Sequence, residues 1–481
     1  MPSELPDYVA SAKPVPQDAR AAWYKNTAQT YAGIMLWFVF WNQVPLGQAL
    51  PGASGWSNFA GGTLAQGLGV AFLGLVAAAL ICHFLFYLVP GMLGMKTGLP
   101  LYIVGTSTYG VQGGFLMPGF LMGVLQFGWL AVNAFFAGFL LCAPFFADPT
   151  KVFGSAPHAI VAAVWAILAA FMGLKGIKYV ARVATFLPLI PLVILVILFV
   201  STVGGLGQFD PAALVAKGAT FTPAEGAAIP AQAPLGTFAI VALLGTYIVG
   251  FFATAGAAGC DFGMNNRNGK DVQLGGLFGV ALATIFAGGM ALLIVAGAHG
   301  SGMAGAGAAM EPTGLMGAIV GAKAAPILMY LLAIAAFPPA CFSAFIAANS
   351  FKTTLPKVNP FISCGIGTLV AIVLAVTGWA GNAIGVFSII GASFGPVCGA
   401  MMADYLLAGR KWAGPRASFN PAGWISWIVG FAVGAADFIP PLAGKVPCPP
   451  VAAFVVGFIL YVVLAKAGLQ SKTLQMPAAG K

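Results

Sequence analysis

The sequence predicts an all-α integral membrane protein with twelve transmembrane helices, and three observations carry that expectation. Of 481 residues, 60% are hydrophobic and only 7% charged, where a soluble domain carries about 25%. The apolar residues run in unbroken blocks, with 185–200, 281–296 and 451–465 as examples. Blocks of this kind suit helices of about 20 residues crossing roughly 30 Å of hydrocarbon. They lack the alternation of a membrane β-barrel, and in lipid only helices and closed barrels satisfy the backbone. Third, the cationic residues fall almost entirely on one side of a twelve-span layout.

Along the chain, residues 1–27 are polar and contain proline, without the basic start and short apolar core of a signal peptide, so they are expected to form a cytoplasmic tail. Hydropathy and Gly/Pro punctuation then place spans near 28–48, 63–90, 115–145, 156–173, 180–204, 235–259, 272–298, 324–349, 361–379, 384–408, 421–438 and 449–467. Residues 468–481 form a second tail. An even count puts both tails on one side. Seventeen of the 21 Lys and Arg residues then share that side, leaving Lys151, Lys217, Lys323 and Lys445 opposite. The positive-inside rule makes the rich side cytoplasmic, which also accounts for a net charge of +10 without nucleic acid. The expected location is the plasma (inner) membrane. Seven scattered cysteines read as small buried hydrophobes; Cys142 and Cys448 both fall near the outer face, but spacing alone does not justify a disulfide.

Spans 1 and 6 stand out. Span 1 carries Gly33 early and Pro45 late, while span 6 carries Gly245, Gly250, Gly256 and Gly259. Interrupted helices at corresponding places in two halves point to a midplane site in an inverted-repeat transporter. Glycine also serves simple close packing in membrane helices. No Walker motif, nucleophile constellation or metal-ligand cluster is present in the sequence. Enzymatic and ATP-driven readings are therefore disfavoured, no cofactor or obligatory protein partner is expected, and any uphill transport draws on an ion gradient.

Polar side chains within the spans narrow the site. In span 3, Gln126, Trp129, Asn133 and Ala137 share one helical face. Two amides flanking an indole can stack on a flat heterocycle and read its edge, or can serve as interhelical polar glue. Span 6 offers Phe252 and Thr254; span 1 offers Trp37, Phe38 and Trp41, followed by Asn42 and Gln43 at the outer vestibule. His83, deep in span 2, is either a proton-coupling group or a neutral, hydrogen-bonded histidine. Glu311 is the other uncommon acid-base candidate. Asp261 and Asp404 end spans 6 and 10, where pairing with Arg267 and Arg410 is expected.

Four stretches, in this order, resemble the nucleobase:cation symporter family of cytosine, purine, allantoin and hydantoin permeases: LGMKTGLPLYIVGTSTYGVQG, LQFGWLAVN, GFFATAGAAGCDFGMNNRNGK and MMADYLLAGRK. The similarity runs from PVPQDAR to the last span. It implies a leucine-transporter-like five-plus-five inverted repeat, 28–205 and 235–408, with two extra helices within 421–467. It further implies import of a nucleobase-like substrate by cation symport with alternating access. The substrate would touch Trp37, Gln126, Trp129, Asn133, Phe252 and Thr254, with Phe337 a weaker candidate on span 8. A coupling cation would sit near Gly33 and Leu36 with span 8 side chains. Span 8 departs from the family pattern. Ala335, Ala336, Phe337, Pro338, Pro339 and Ala340 stand where relatives carry asparagines and, in sodium-coupled members, paired hydroxyls, and Ser343 is a single hydroxyl. The loss of hard oxygen ligands tilts the coupling ion from sodium toward a proton. Pro338 and Pro339 are expected to break the helix and expose carbonyls. Alternatives are a same-fold carrier of a less polar ring, such as a vitamin precursor or amino-acid-like solute, and an uncoupled facilitator.

Overall fold

A computed structural model describes residues 5–26, 37–49, 57–175, 184, 186–218, 220–221, 229–305 and 309–476. Among them, nine helices are long and apolar enough to cross a membrane: α2 (Leu68–Thr97), α3 (Phe115–Phe145), α4 (Ala156–Lys175), α5 (Leu189–Gln208), α6 (Thr237–Ala257), α7 (Gly269–Gly300), α8 (Ala324–Thr354), α10 (Ala383–Leu407) and α12 (Pro449–Lys466). Two shorter apolar helices, α9 (Pro360–Val376) and α11 (Pro421–Gly434), stand between them. The described part of span 1 is α1 (Phe38–Leu46). This is a multi-pass membrane protein, and the arrangement is consistent with twelve spans.

Burial separates core from lipid-facing helices. The apolar windows of α10 and α6 are 89% and 72% buried, against 33% for α4, α5 and α12. Apolarity does not follow burial, since the most buried of these helices, α10, is the least apolar of them, so hydropathy alone cannot rank them. Small residues set the closest approaches. A Cβ on Gly94 of α2 would stand 2.0 Å from the Cys260 carbonyl oxygen, and one on Gly173 of α4 would stand 2.4 Å from that of Cys341 in α8. Three helices widen locally into π turns, at Cys82–Tyr87 in α2, Phe115–Phe120 in α3 and Leu277–Leu282 in α7.

Both described tails pack on one end of the bundle. Val9 is fully buried, the Arg20 guanidinium donates to the Met95 carbonyl at 2.6 Å, and the Ala21 N–H donates to the Asn265 carbonyl at 2.8 Å. Trp23 stacks on Phe278 with centroids 4.9 Å apart. The C-terminal segment joins the same end, where the Leu474 N–H donates to Pro415 at 2.7 Å. Polarity alone did not suggest this strapping, because it rests largely on backbone groups and isolated apolar residues. The long loops also hold structure that hydropathy misses: helices Pro211–Ala216 and Pro312–Val320, and a two-residue antiparallel ladder pairing Thr220–Phe221 with Ile229–Pro230.

Two expected ion pairs are corrected. Arg267, just before α7, pairs with Asp271 in the first turn of that helix at 2.8 Å. Asp404 pairs with Arg416, not Arg410, at 2.7 Å, deep among α10, α12 and the loop after α2. Tyr461 donates to the same carboxylate at 2.8 Å, and Ser107 donates to its other oxygen. The carboxylate of Asp261 instead accepts the Leu101 N–H at 3.0 Å. A buried carboxylate takes whichever donors its helix end faces, and these lie far away in sequence. Cys142 and Cys448 are not bridged; all seven cysteines are free thiols.

Candidate substrate cavity

A cavity of about 950 Å³ opens among α1, α3, α5, α6 and α8. Its inner chamber is aromatic. Trp37 ends the described start of α1 and faces Trp129 of α3, with ring centroids 5.8 Å apart and planes at 52°. Phe251 of α6 stands edge-on to Trp129 at 4.8 Å, and Phe387 of α10 supports that indole from behind at 4.9 Å. The Trp129 Nε1–H donates to the Thr254 hydroxyl at 3.3 Å, fixing the tilt of the indole. Such walls favour a flat ring, which they can meet face-on or edge-on.

The polar inventory of the chamber is small. Gln126 lines the cavity and is 6% exposed, with its Nε2 reaching only the Met122 sulfur at 3.6 Å. A thioether is a weak acceptor, so the amide retains hydrogen-bonding capacity on the cavity side. Asn133 lines the same wall, but its amide is engaged at both ends: Nδ2 donates to the Ala336 carbonyl at 2.9 Å, and Oδ1 accepts the Trp165 indole N–H at 2.9 Å. Of the two alternatives for these amides, Asn133 takes the interhelical one and Gln126 stays free for a ligand.

Opposite them, α8 presents Ala335, Ala336, Pro338, Pro339 and Phe342. Contrary to expectation, α8 does not break at its prolines; it runs continuously from Ala324 to Thr354. Each proline removes one N–H, so the carbonyls of Ile334 and Ala335 lose their usual helical donors, yet packing on α3 and α4 keeps the axis intact. Ser343 also faces the cavity, with its hydroxyl turned back to the Pro339 carbonyl at 3.2 Å.

The cavity runs from this chamber to the tail end of the bundle, past Tyr102, Asp261, Asn349 and Lys352. Toward the opposite end, α1 is tied to its neighbours by hydrogen bonds. The Tyr247 hydroxyl reaches the carbonyls of Val39 and Phe40 at 3.1 and 3.2 Å, and the Asn42 carbonyl oxygen accepts the Thr313 N–H at 3.2 Å. That bond ties α1 to the first turn of helix Pro312–Val320, giving Asn42 a structural task.

Of the residues expected to bind substrate, Trp37, Gln126, Trp129, Asn133 and Thr254 thus meet around one cavity. Two do not join them. Phe252 is fully buried away from the cavity, near Phe86 of α2 and Gly256, and its neighbour Phe251 faces the chamber instead. One residue along a helix turns the side chain by about 100°, which the sequence pattern could not resolve. Phe337 packs edge-on against Trp165 at 5.0 Å, behind the wall. His83 lies in the π turn of α2 against Gly276 and Tyr87, off the cavity. Gly33 and Leu36 lie outside the described residues. Phe251, Phe387 and Trp165 were not singled out from the sequence; isolated aromatics in apolar spans carry no distinguishing signal.

The cytosine permease of Escherichia coli strain K12 is 27% identical over 461 residues, covering 94% of this chain and 93% of the permease. Cytosine permeases of two further Escherichia coli strains match equally. This similarity over nearly the whole length supports the resemblance to the nucleobase:cation symporter family seen in the sequence motifs. No family model matches it. Among solved structures, inward-facing Mhp1 is similar with a TM-score of 0.64 at 14% identity, covering 96% of this chain and 95% of Mhp1. Mhp1, a nucleobase-cation-symport-1 family transporter, closed with bromovinylhydantoin bound, gives 0.60 at 13% identity, with coverages of 94% and 95%. An outward-open Na+-coupled sialic acid symporter gives 0.51 at 13%, with coverages of 99% and 94%. These likenesses establish the leucine-transporter-like fold, and the permease relatives set the enzymatic reading aside.

Proposed function

We propose that this chain imports a nucleobase or related planar heterocycle, purine or cytosine-like, by cation symport with alternating access. The observation that carries this reading is the aromatic chamber itself: Trp37, Trp129 and Phe251 around one free amide, Gln126, at the head of a cavity that runs toward the tail end of the bundle. Trp37 and Trp129 stack on the ring, Gln126 reads its edge, and Thr254 holds the indole of Trp129. The tail end is the cytoplasmic side of the plasma (inner) membrane, so the cavity faces inward. Residues 28–205 and 235–408 are the two repeats.

The coupling ion in this reading is a proton rather than sodium, because α8 sets Ser343 among the apolar Ala335, Ala336, Pro338 and Pro339, while its other cavity-lining hydroxyls, Ser350, Thr353 and Thr354, lie two turns or more further along. Backbone carbonyls near Gly33 and Leu36 would complete any sodium site. Coupling through His83 requires linkage along α2, since that ring does not line the cavity. The apolar face of α8 favours a second reading, in which a less polar or larger ring is carried. Equilibrium binding of labelled cytosine, adenine, hypoxanthine and uracil to purified protein tests the site. Saturable binding of one base, lost in Gln126→Ala and Trp129→Ala, is expected. Binding indifferent to both substitutions would overturn the site.

A further inference from the structure

Behind the chamber wall, a hydrogen-bonded chain crosses three helices. Asn133 of α3 is 1% exposed and stands between Trp165 of α4 and the Ala336 carbonyl of α8, both at 2.9 Å. The two partners fix the amide in one orientation. An indole N–H can only donate, so the atom facing Trp165 must be the carbonyl oxygen; a backbone carbonyl can only accept, so the NH2 group faces Ala336. Phe337 braces the indole edge-on at 5.0 Å from the α8 side. Gln126, two turns earlier on α3, has no comparable anchor.

We propose that Trp165 is a specificity-determining, positioning residue: by holding the Asn133 oxygen it withdraws one of the two wall amides from the ligand. The ring is then read by Gln126 alone. This rests on the cavity being the substrate site. The chemical consequence concerns ligand class. A site with one free amide matches rings that offer a single donor–acceptor edge and present an apolar body to Ala335, Pro338 and Pro339. A second exocyclic amino group on the ring finds no free side-chain amide oxygen at Asn133, which the Trp165 indole occupies. Removal of the indole N–H leaves the Asn133 oxygen buried without a donor, a costly state that a ligand N–H would relieve.

The experiment measures the ratio of Kd values for two matched pairs that differ by one added exocyclic amino group, hypoxanthine with guanine and adenine with 2,6-diaminopurine, by competition on purified protein. Wild type is expected to separate the members of a pair by less than about threefold. Trp165→Phe keeps the ring and its contact with Phe337 but lacks the donor, and is expected to shift the ratio about three- to tenfold toward the member with the added amino group. Trp165→His retains a ring N–H and is expected to restore the wild-type ratio. The double variant Trp165→Phe/Asn133→Ala is expected to lose the shift. A ratio unmoved by Trp165→Phe, or a shift that persists without Asn133, overturns the proposal. If Trp129→Ala and Gln126→Ala also leave every Kd unchanged, the cavity reading has failed; if they weaken binding, it stands and only the role of Trp165 falls.

Discussion

Asp404→Ala is the sharpest perturbation of the tail end. Asp404 is 3% exposed and accepts from Arg416 at 2.7 Å and Tyr461 at 2.8 Å, with Ser107 on its second oxygen. Arg416 keeps one bond, from Nε to the Ser107 carbonyl at 2.7 Å, but its charge is left buried without a counter-ion. Breaking one side of such a pair costs about 3–5 kcal/mol. At about 2.1 cal/mol/K per residue, unfolding 481 residues carries about 1 kcal/mol/K, so the melting temperature should fall by about 3–5 °C. Thermal unfolding in detergent at a fixed scan rate reads this, compared with the double variant Asp404→Leu/Arg416→Met. Replacing the whole pair by apolar groups removes the stranded charge, so the double variant should recover most of the loss. A single variant as stable as wild type, or a double variant no better than the single, would refute the buried-pair reasoning.

Gly94→Ala places a methyl 2.0 Å from the Cys260 carbonyl, where no flexible side chain can yield, so folded protein recovered by size-exclusion chromatography should drop sharply. Trp129→Ala removes the central indole and should weaken ring binding at least about tenfold, whereas Trp129→Phe, which keeps an aromatic face but loses the 3.3 Å bond to Thr254 and part of the stacking area, should cost about three- to tenfold in measured Kd. Asp261 lies beyond α6, where burial pushes its carboxyl up to about 6 against the pull of the Leu101 N–H. A raised value means the folded state holds the proton more tightly, so this stabilisation is complete below the unfolded value of 3.8 and is lost as pH rises through about 6. The melting temperature of wild type should therefore fall between pH 5 and pH 7 relative to that of Asp261→Asn, and parallel curves would exclude the assignment.

The architecture was legible because its causes are local. Twenty-residue apolar blocks and the placement of 21 cationic side chains depend on the chain alone. Much of the cavity was legible for the same reason: Gln126, Trp129 and Asn133 share a face by helical spacing, so their meeting on one wall follows from a single helix. What each amide does there was not legible. The engagement of Asn133 depends on Trp165 and Ala336, which only the packing of α4 and α8 brings within reach. Rotation about α6 separates Phe251 from Phe252 for a similar reason, since every position near them is apolar or small. The unbroken α8 shows the limit of a local rule. Pro338 and Pro339 remove donors as expected, but surrounding helices supply the constraint that keeps the axis continuous. Partners of Asp404 and Arg267 likewise went unseen, because a nearby opposite charge in sequence is only one of several donors a folded helix end meets.

Transport itself is tested most directly by initial uptake of labelled cytosine, adenine, hypoxanthine and uracil into proteoliposomes, under an inward proton gradient, an inward sodium gradient, and neither. Accumulation of one base above its own gradient under the proton gradient, and abolished in Trp129→Ala, is the expected result. Folded protein that moves none of the four bases under any gradient would contradict nucleobase transport while leaving the fold intact.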